Sequence, residues 1–148
     1  MLFRSVFGTE KIKKKKHFID FASSLDAYKA KKMSFEDRFP IAWSLMEHTD
    51  IVLCHQQDNA LNYLYFDVAW LGWPLVHNAH MVKELGWYYS GFFAEDAADR
   101  LIEIAENFDS DENFKEIYKQ RSREYISNFL PKHPRNVFGY KRLIEKLF

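Results

Sequence analysis

The sequence has little that anchors it from outside. A single cysteine, Cys54, excludes an internal disulfide and suits a reducing compartment. No apolar run approaches the ~20 residues of a membrane span. The opening stretch, Met1–Gly8, is too short for a signal peptide and lacks the small-residue cleavage region of one. Lys+Arg and Asp+Glu both number 21, and the zero net charge predicts no general attraction to nucleic acid or anionic membrane. Internal repeats and low-complexity linkers are missing too. Together these absences point to a soluble, cytoplasmic protein with one ordered domain.

What is present supports a packed core. Of the 148 residues, 47% are hydrophobic and 18% aromatic, which argues against disorder. A chain of this length buries enough surface to fold without disulfides or metals. Charge is uneven along it: Lys11 and Lys13–Lys16 form a basic block, while Asp109–Glu112 is acidic. Residues 1–16 therefore read as a basic N-terminal segment and 17–148 as the domain. Without aromatics nearby, these lysines read as a solvated loop, and they are a thin anchor for a membrane surface.

Along the chain, His17–Leu25 is apolar-rich and reads as a strand. Ser34-x-x-Asp37 has the form of a capping box, with a following helix carrying Phe39, Trp43 and Met46 on one side. Ile51–Cys54 has the size of a buried parallel strand. Asp58 is placed to cap a helix running to about Leu71, where Gly72 supplies the stop. Pro74–Asn78 reads as the next buried strand, His80–Leu85 as a short turn or helix closed by Gly86, and Trp87–Phe93 as holding a short strand.

From Ala94 the pattern turns helical. Ala97, Leu101, Ile104 and Ala105 form one stripe. A second helix is expected over 112–129 with Phe114, Ile117, Tyr118, Tyr125 and Phe129 as its apolar side, ended by Pro131 and Pro134. A third, about 135–148, places Tyr140, Leu143, Ile144 and Leu147 on one face. Strands alternating with helices, followed by a helical tail, predict an α/β fold with a Rossmann-like parallel sheet flanked by helices.

The stretch richest in chemistry is Asp50–Asn78: strand, polar loop, helix, glycine turn, strand. In open α/β sheets ligands gather at the carboxyl ends of strands, where loops meet helix N-termini. Here that loop is His55-Gln56-Gln57-Asp58-Asn59. The first amides of the expected helix, at Ala60, Leu61 and Asn62, would lack intrahelical partners and could receive phosphate oxygens. Asn59 and Asp67 are eight apart, roughly 12 Å along one helix and within about 80° around it. A polar group and a carboxylate so spaced could grip two parts of an extended ligand, and a carboxylate is an apt acceptor for ribose hydroxyls.

At these residues the sequence resembles a known family. The string from Asp67 to Pro74, DVAWLGWP, has the frame of the Glu-Ala-x-Ala-x-Gly-x-Pro segment of GT-B glycosyltransferases, which puts Asn59 and Asp67 on the two acidic positions of their Glu-x7-Glu motif. HQQDNALNYLYFDVAWLGWPLVHNAH, followed by LGWYY, resembles more closely still a bacterial family of predicted GT-B-like proteins catalogued as DUF2827. Phe18, Phe21, Leu25, Asp26, Phe35 and Arg38 match its upstream pattern. The likeness spans about residues 17–148 and implies the C-terminal, nucleotide-sugar-binding half of a GT-B enzyme. Asp67 would hold the ribose, Asn59 the donor sugar and the amides at 60–62 the diphosphate of a nucleoside-diphosphate sugar. Asn59 departs from the family's Glu, and Ala60 and Asn62 replace its usual glycines. The resemblance also implies that the acceptor-binding domain and a first strand–helix unit are missing. The chain would then bind without turning over, its partner a separate acceptor domain or a second copy.

Plainer readings stand beside these. Asp67 could cap a loop or meet a basic residue, and Asn59 is equally a helix-start residue. His55, His77 and His80 fall near successive strand ends, beside Asn78, where imidazole can hydrogen-bond phosphate or backbone. As a metal set they lack an acidic or cysteine ligand, and as a base His55 lacks an orienting carboxylate, so no metal, cofactor or catalytic residue is assigned. Cys54, inside an apolar run, reads as core. The rival functions are a non-catalytic interaction module of the same fold and a flavodoxin-like nucleotide binder.

Overall fold

The computed structural model describes residues 4–148. The first three residues of the basic N-terminal segment therefore lie outside the described part. Contacts divide the chain into two compact units, one ending at Ser44 and the other beginning at Leu45.

The first unit holds β1 (Arg4–Val6), α1 (Lys16–Ser24), α2 (Asp26–Lys29) and β2 (Met33–Phe35). β1 and β2 pair in parallel, Arg4 opposite Met33 and Val6 opposite Phe35. Thr9 prolongs the pairing, its amide and Oγ1 both donating to the Glu36 carbonyl at 3.0 and 2.8 Å. The strand expected at His17–Leu25 is a helix. Phe18, Phe21, Ala22 and Leu25 recur at intervals of three and four, which suits a helical face and not a pleated one. Ala22 is buried, and the Phe18 ring meets Phe35 edge-on at 4.9 Å. Ser34 is not a helix cap either, because it lies within β2.

The next helix, α3 (Ile41–His48), starts after Pro40, whose carbonyl accepts the Ser44 amide at 3.1 Å. Phe39 precedes it, and Trp43 and Met46 are exposed, so the side expected to be apolar faces outward; Leu45 is the fully buried one.

The second unit carries β3 (Val52–Cys54), α4 (Tyr63–Leu71), β4 (Leu75–His77), a 3-10 turn (His80–Val82), β5 (Trp87–Tyr88), α5 (Ala94–Asn107), α6 (Glu112–Ser127) and α7 (Pro134–Glu145). Its sheet has the order β3-β4-β5, with both pairs parallel. β4 is central and buried throughout, as a continuous apolar run requires. The strands expected around 51–54, 74–78 and 87–93 are thus present, each trimmed to two or three residues.

α4 differs from expectation at its start. Asn62, not Asp58, is the N-cap: its Oδ1 accepts the Leu64 amide at 3.0 Å. Asp58 sits four residues earlier in the left-handed region at φ 55°, in the loop. Gly72, at φ 93°, ends α4 as expected. α6 packs along α4 and caps its far end: Arg123 Nε donates to the Trp70 carbonyl at 3.1 Å and Tyr118 Oη to that of Trp73 at 3.0 Å. Val76, Tyr89, Ala97, Ile104 and Phe108 form a buried cluster that joins β4 and its neighbours to α5. The fold is mixed α/β, two small parallel sheets flanked by helices, with the helical tail where it was expected.

Candidate functional site

Three loops leave the carboxyl ends of β3, β4 and β5 on the same side of the sheet and enclose a cleft of about 480 Å³. The loop after β3 contributes Gln56, Asp58, Asn59 and Ala60. The tip of β4 contributes Asn78, Ala79, His80 and Met81, and β5 with its exit contributes Tyr88, Gly91 and Phe92. In a parallel sheet all carboxyl ends point one way, so loops distant in sequence converge here.

Asn78 holds the three loops together. Its Oδ1 accepts the Gln56 amide at 2.8 Å, and its Nδ2 donates to the carbonyls of Gln56 and Gly91, each at 2.9 Å. One side chain thereby fixes the β3 loop and the β5 exit to the end of β4. His77 does the same for the β4–β5 connection. Its Nδ1 accepts the Ala79 amide at 3.1 Å and its Nε2 bonds the Leu85 carbonyl. A carbonyl only accepts, so Nε2 carries the proton, and burial lowers the pKa of this ring and keeps it neutral.

His55 lies beside the cleft. Its Nδ1 is 2.7 Å from Tyr89 Oη, and its ring meets Phe92 at 4.9 Å. Burial, then the neighbouring Cys54, pushes the Tyr89 phenol up, so it stays protonated and the pair forms a neutral hydrogen bond. Burial also pushes the Cys54 thiol up to about 11, which leaves it protonated and a core residue.

Of the residues anticipated from sequence, Asn59, Ala60 and Asn78 line the cleft and His55 adjoins it through Tyr89 and Phe92. Asn62 is engaged as the α4 cap, with the Leu64 amide bonded to its side chain and the Tyr65 amide to its carbonyl at 3.1 Å, so Ala60, Leu61 and Asn62 precede the helix and are not its first amides. Leu61 is exposed outside the lining, and His77 is buried behind it. Asp67 is exposed on α4, away from the lining, and Asn59 precedes the helix, so the two do not share one helix.

Gln56 and Asp58 belong to the loop expected to gather a ligand and His80 to the strand-end histidines, but none was assigned a contact; Tyr88, Phe92, Ala79, Met81 and Gly91 also line the cleft. The strand-end rule, applied to β4 and β5 as well as β3, is the signal that reaches His80, Tyr88 and Phe92. Among the described residues no Lys or Arg lines the cleft, but Lys83 Nζ lies over the Tyr88 ring, 5.2 Å from its centroid. Among the described residues no three His, Cys, Asp or Glu side chains come together as metal ligands.

The family model described as "Protein of unknown function (DUF2827)" matches residues 2–144, and the chain belongs to that family. No curated protein and no solved structure matches it.

Proposed function

We propose that this member of the DUF2827 family is a glycosyltransferase-like donor domain whose strand-end cleft takes a nucleoside-diphosphate sugar. The observation that carries the reading is the cleft's position at the carboxyl ends of three parallel strands. Its size falls within the range of about 300–1,000 Å³ common to small-ligand sites. The lining mixes faces for stacking, Tyr88 and Phe92, with acceptors and amides suited to hydroxyls, Asp58, Asn59 and Gln56. The resemblance of DVAWLGWP to the GT-B frame supports the choice of ligand. The side-chain assignment shifts within that frame, with Asp58 as the carboxylate for ribose or sugar and His80 with Lys83 as the partners for phosphate charge. Turnover would need an acceptor-binding domain, so the expected property of this chain is binding.

Titration calorimetry with UDP-, GDP- and CMP-sugars tests it. One donor should bind, with affinity reduced at least tenfold by Asp58→Ala or Phe92→Ala and unchanged by Asp67→Ala, about the cost of one lost charged hydrogen bond. A folded sample that binds no donor overturns the reading. A selective loss with Asp67→Ala would return the site to the α4 frame and remove Asp58 from it.

A further inference from the structure

We infer that α7 is a membrane-surface helix that lies along an anionic lipid bilayer. α5 buries Ala97 and Ile104 and α6 buries Ser122 and Ile126, whereas α7 buries no side chain. Yet most of its apolar side chains gather on one side. At 100° per residue, Val137, Tyr140, Leu143 and Ile144 fall within about 120° of arc. Tyr140, Leu143 and Ile144 are 62%, 59% and 56% exposed, and Leu147 just beyond is 78% exposed. The opposite arc carries Arg135, Lys141 and Arg142, with Phe138 among them, its ring under the Arg142 guanidinium at 5.9 Å. Apolar residues on one side and lysine and arginine on the other is the pattern of a helix lying in the plane of a lipid interface.

Charge decides between lipid and a second copy. The chain is neutral as a whole, but residues 131–148 hold five cations and one anion, Glu145. That is a local charge of +4, set against −4 over the rest of the chain. Two copies joined through their apolar sides would bring two such basic segments together, whereas an anionic surface complements them. The start of α7 is fastened, Asn136 Nδ2 donating at 2.9 Å to the carbonyls of both Asn128 and Leu130. A helix of 12 residues is far too short to cross a bilayer, and no helix among the described residues is long and apolar enough to do so. It would rest on the surface.

Flotation of the full chain with phosphatidylcholine vesicles, with and without about 30% phosphatidylglycerol, tests this at low and raised salt. The anionic vesicles should bind the protein roughly tenfold better than neutral ones, and salt should erase the difference. Leu143→Asp with Ile144→Asp, and separately Lys141→Glu with Arg142→Glu, should each reduce binding at least tenfold while leaving the melting temperature unchanged, because neither pair touches the core. The charge-reversed pair keeps the test decisive if the apolar pair fails to fold. Absence of binding, equal binding to both vesicles, or binding that survives the charge reversal overturns the inference. So does a dimer in light scattering that Leu143→Asp dissociates, which would assign this face to a second copy.

Discussion

Two buried tyrosines near the carboxyl end of the main sheet are held in different ways. Tyr89 Oη is hydrogen-bonded to His55 Nδ1, whereas Tyr65 stacks on His77 with ring centroids 5.3 Å apart, and its Oη meets no hydrogen-bond partner. A buried hydroxyl without a partner costs stability relative to a methine of the same shape. Tyr65→Phe should therefore leave stability unchanged or raise it by about 0–1 kcal/mol at neutral pH. The effect should grow with alkali. Burial, then Cys54 and Tyr89, pushes the Tyr65 phenol up from 10 to about 12 in the folded chain. The folded state thus holds a proton that the unfolded state releases, so this group's contribution is whole below pH 10 and is lost between pH 10 and about 12. Tyr118, also raised to about 12 by burial, adds a second loss over the same window. Urea unfolding at neutral pH and again at about pH 11 checks the prediction, since the gain from Tyr65→Phe must be larger in alkali. A substitution that destabilises equally at both values would mean that Tyr65 has a partner after all.

Among the elements, the connection from β4 to β5 depends most on single residues. Gly86 turns the chain at φ 72°, and a Cβ built there would lie 2.4 Å from the Leu75 carbonyl oxygen, part of the central strand. Gly86→Ala combines a left-handed conformation with a backbone clash and should cost at least about 2 kcal/mol, read as a lower urea midpoint. Gly139→Ala in α7 has open space around it and should be neutral or stabilising by up to about 1 kcal/mol.

The element pattern was legible where length or period was long. The strand at Ile51–Cys54, the helices α5 and α6 and the glycine stop at Gly72 read correctly from the chain, but Leu53 is exposed in β3, and α6 buries Ser122 and Ile126 while Phe114, Ile117 and Phe129 of its expected apolar side stay exposed. α1 was misread because Phe18-Ile19 and Phe21-Ala22 look like a dense apolar run until their spacing is measured. The start of α4 was misplaced because Asp58, Asn59 and Asn62 are all good caps, and only the tertiary position of the loop selects Asn62. β1 and β2, at three residues each, are too short to carry a period. At the site, Asn78 and the His55–Tyr89 pair act across separations of 22 and 34 residues, which no local pattern encodes.

At the scale of the molecule, the division at α3 assigns each sheet to its own unit. The second unit contains the cleft, the whole β3-β4-β5 sheet and the buried cluster from Val76 to Phe108. About 100 residues with such a core should suffice for independent folding. A chain of residues 41–148, which keeps α3 whole, should therefore unfold in one cooperative transition. It should also retain the donor affinity of the full chain, because every lining residue lies within it. Circular dichroism melting and the same calorimetric titration read the two properties separately. A broad, non-cooperative melt would mean that the core needs residues 1–40 to fold, and a cooperative melt with lost affinity would mean that those residues shape the cleft.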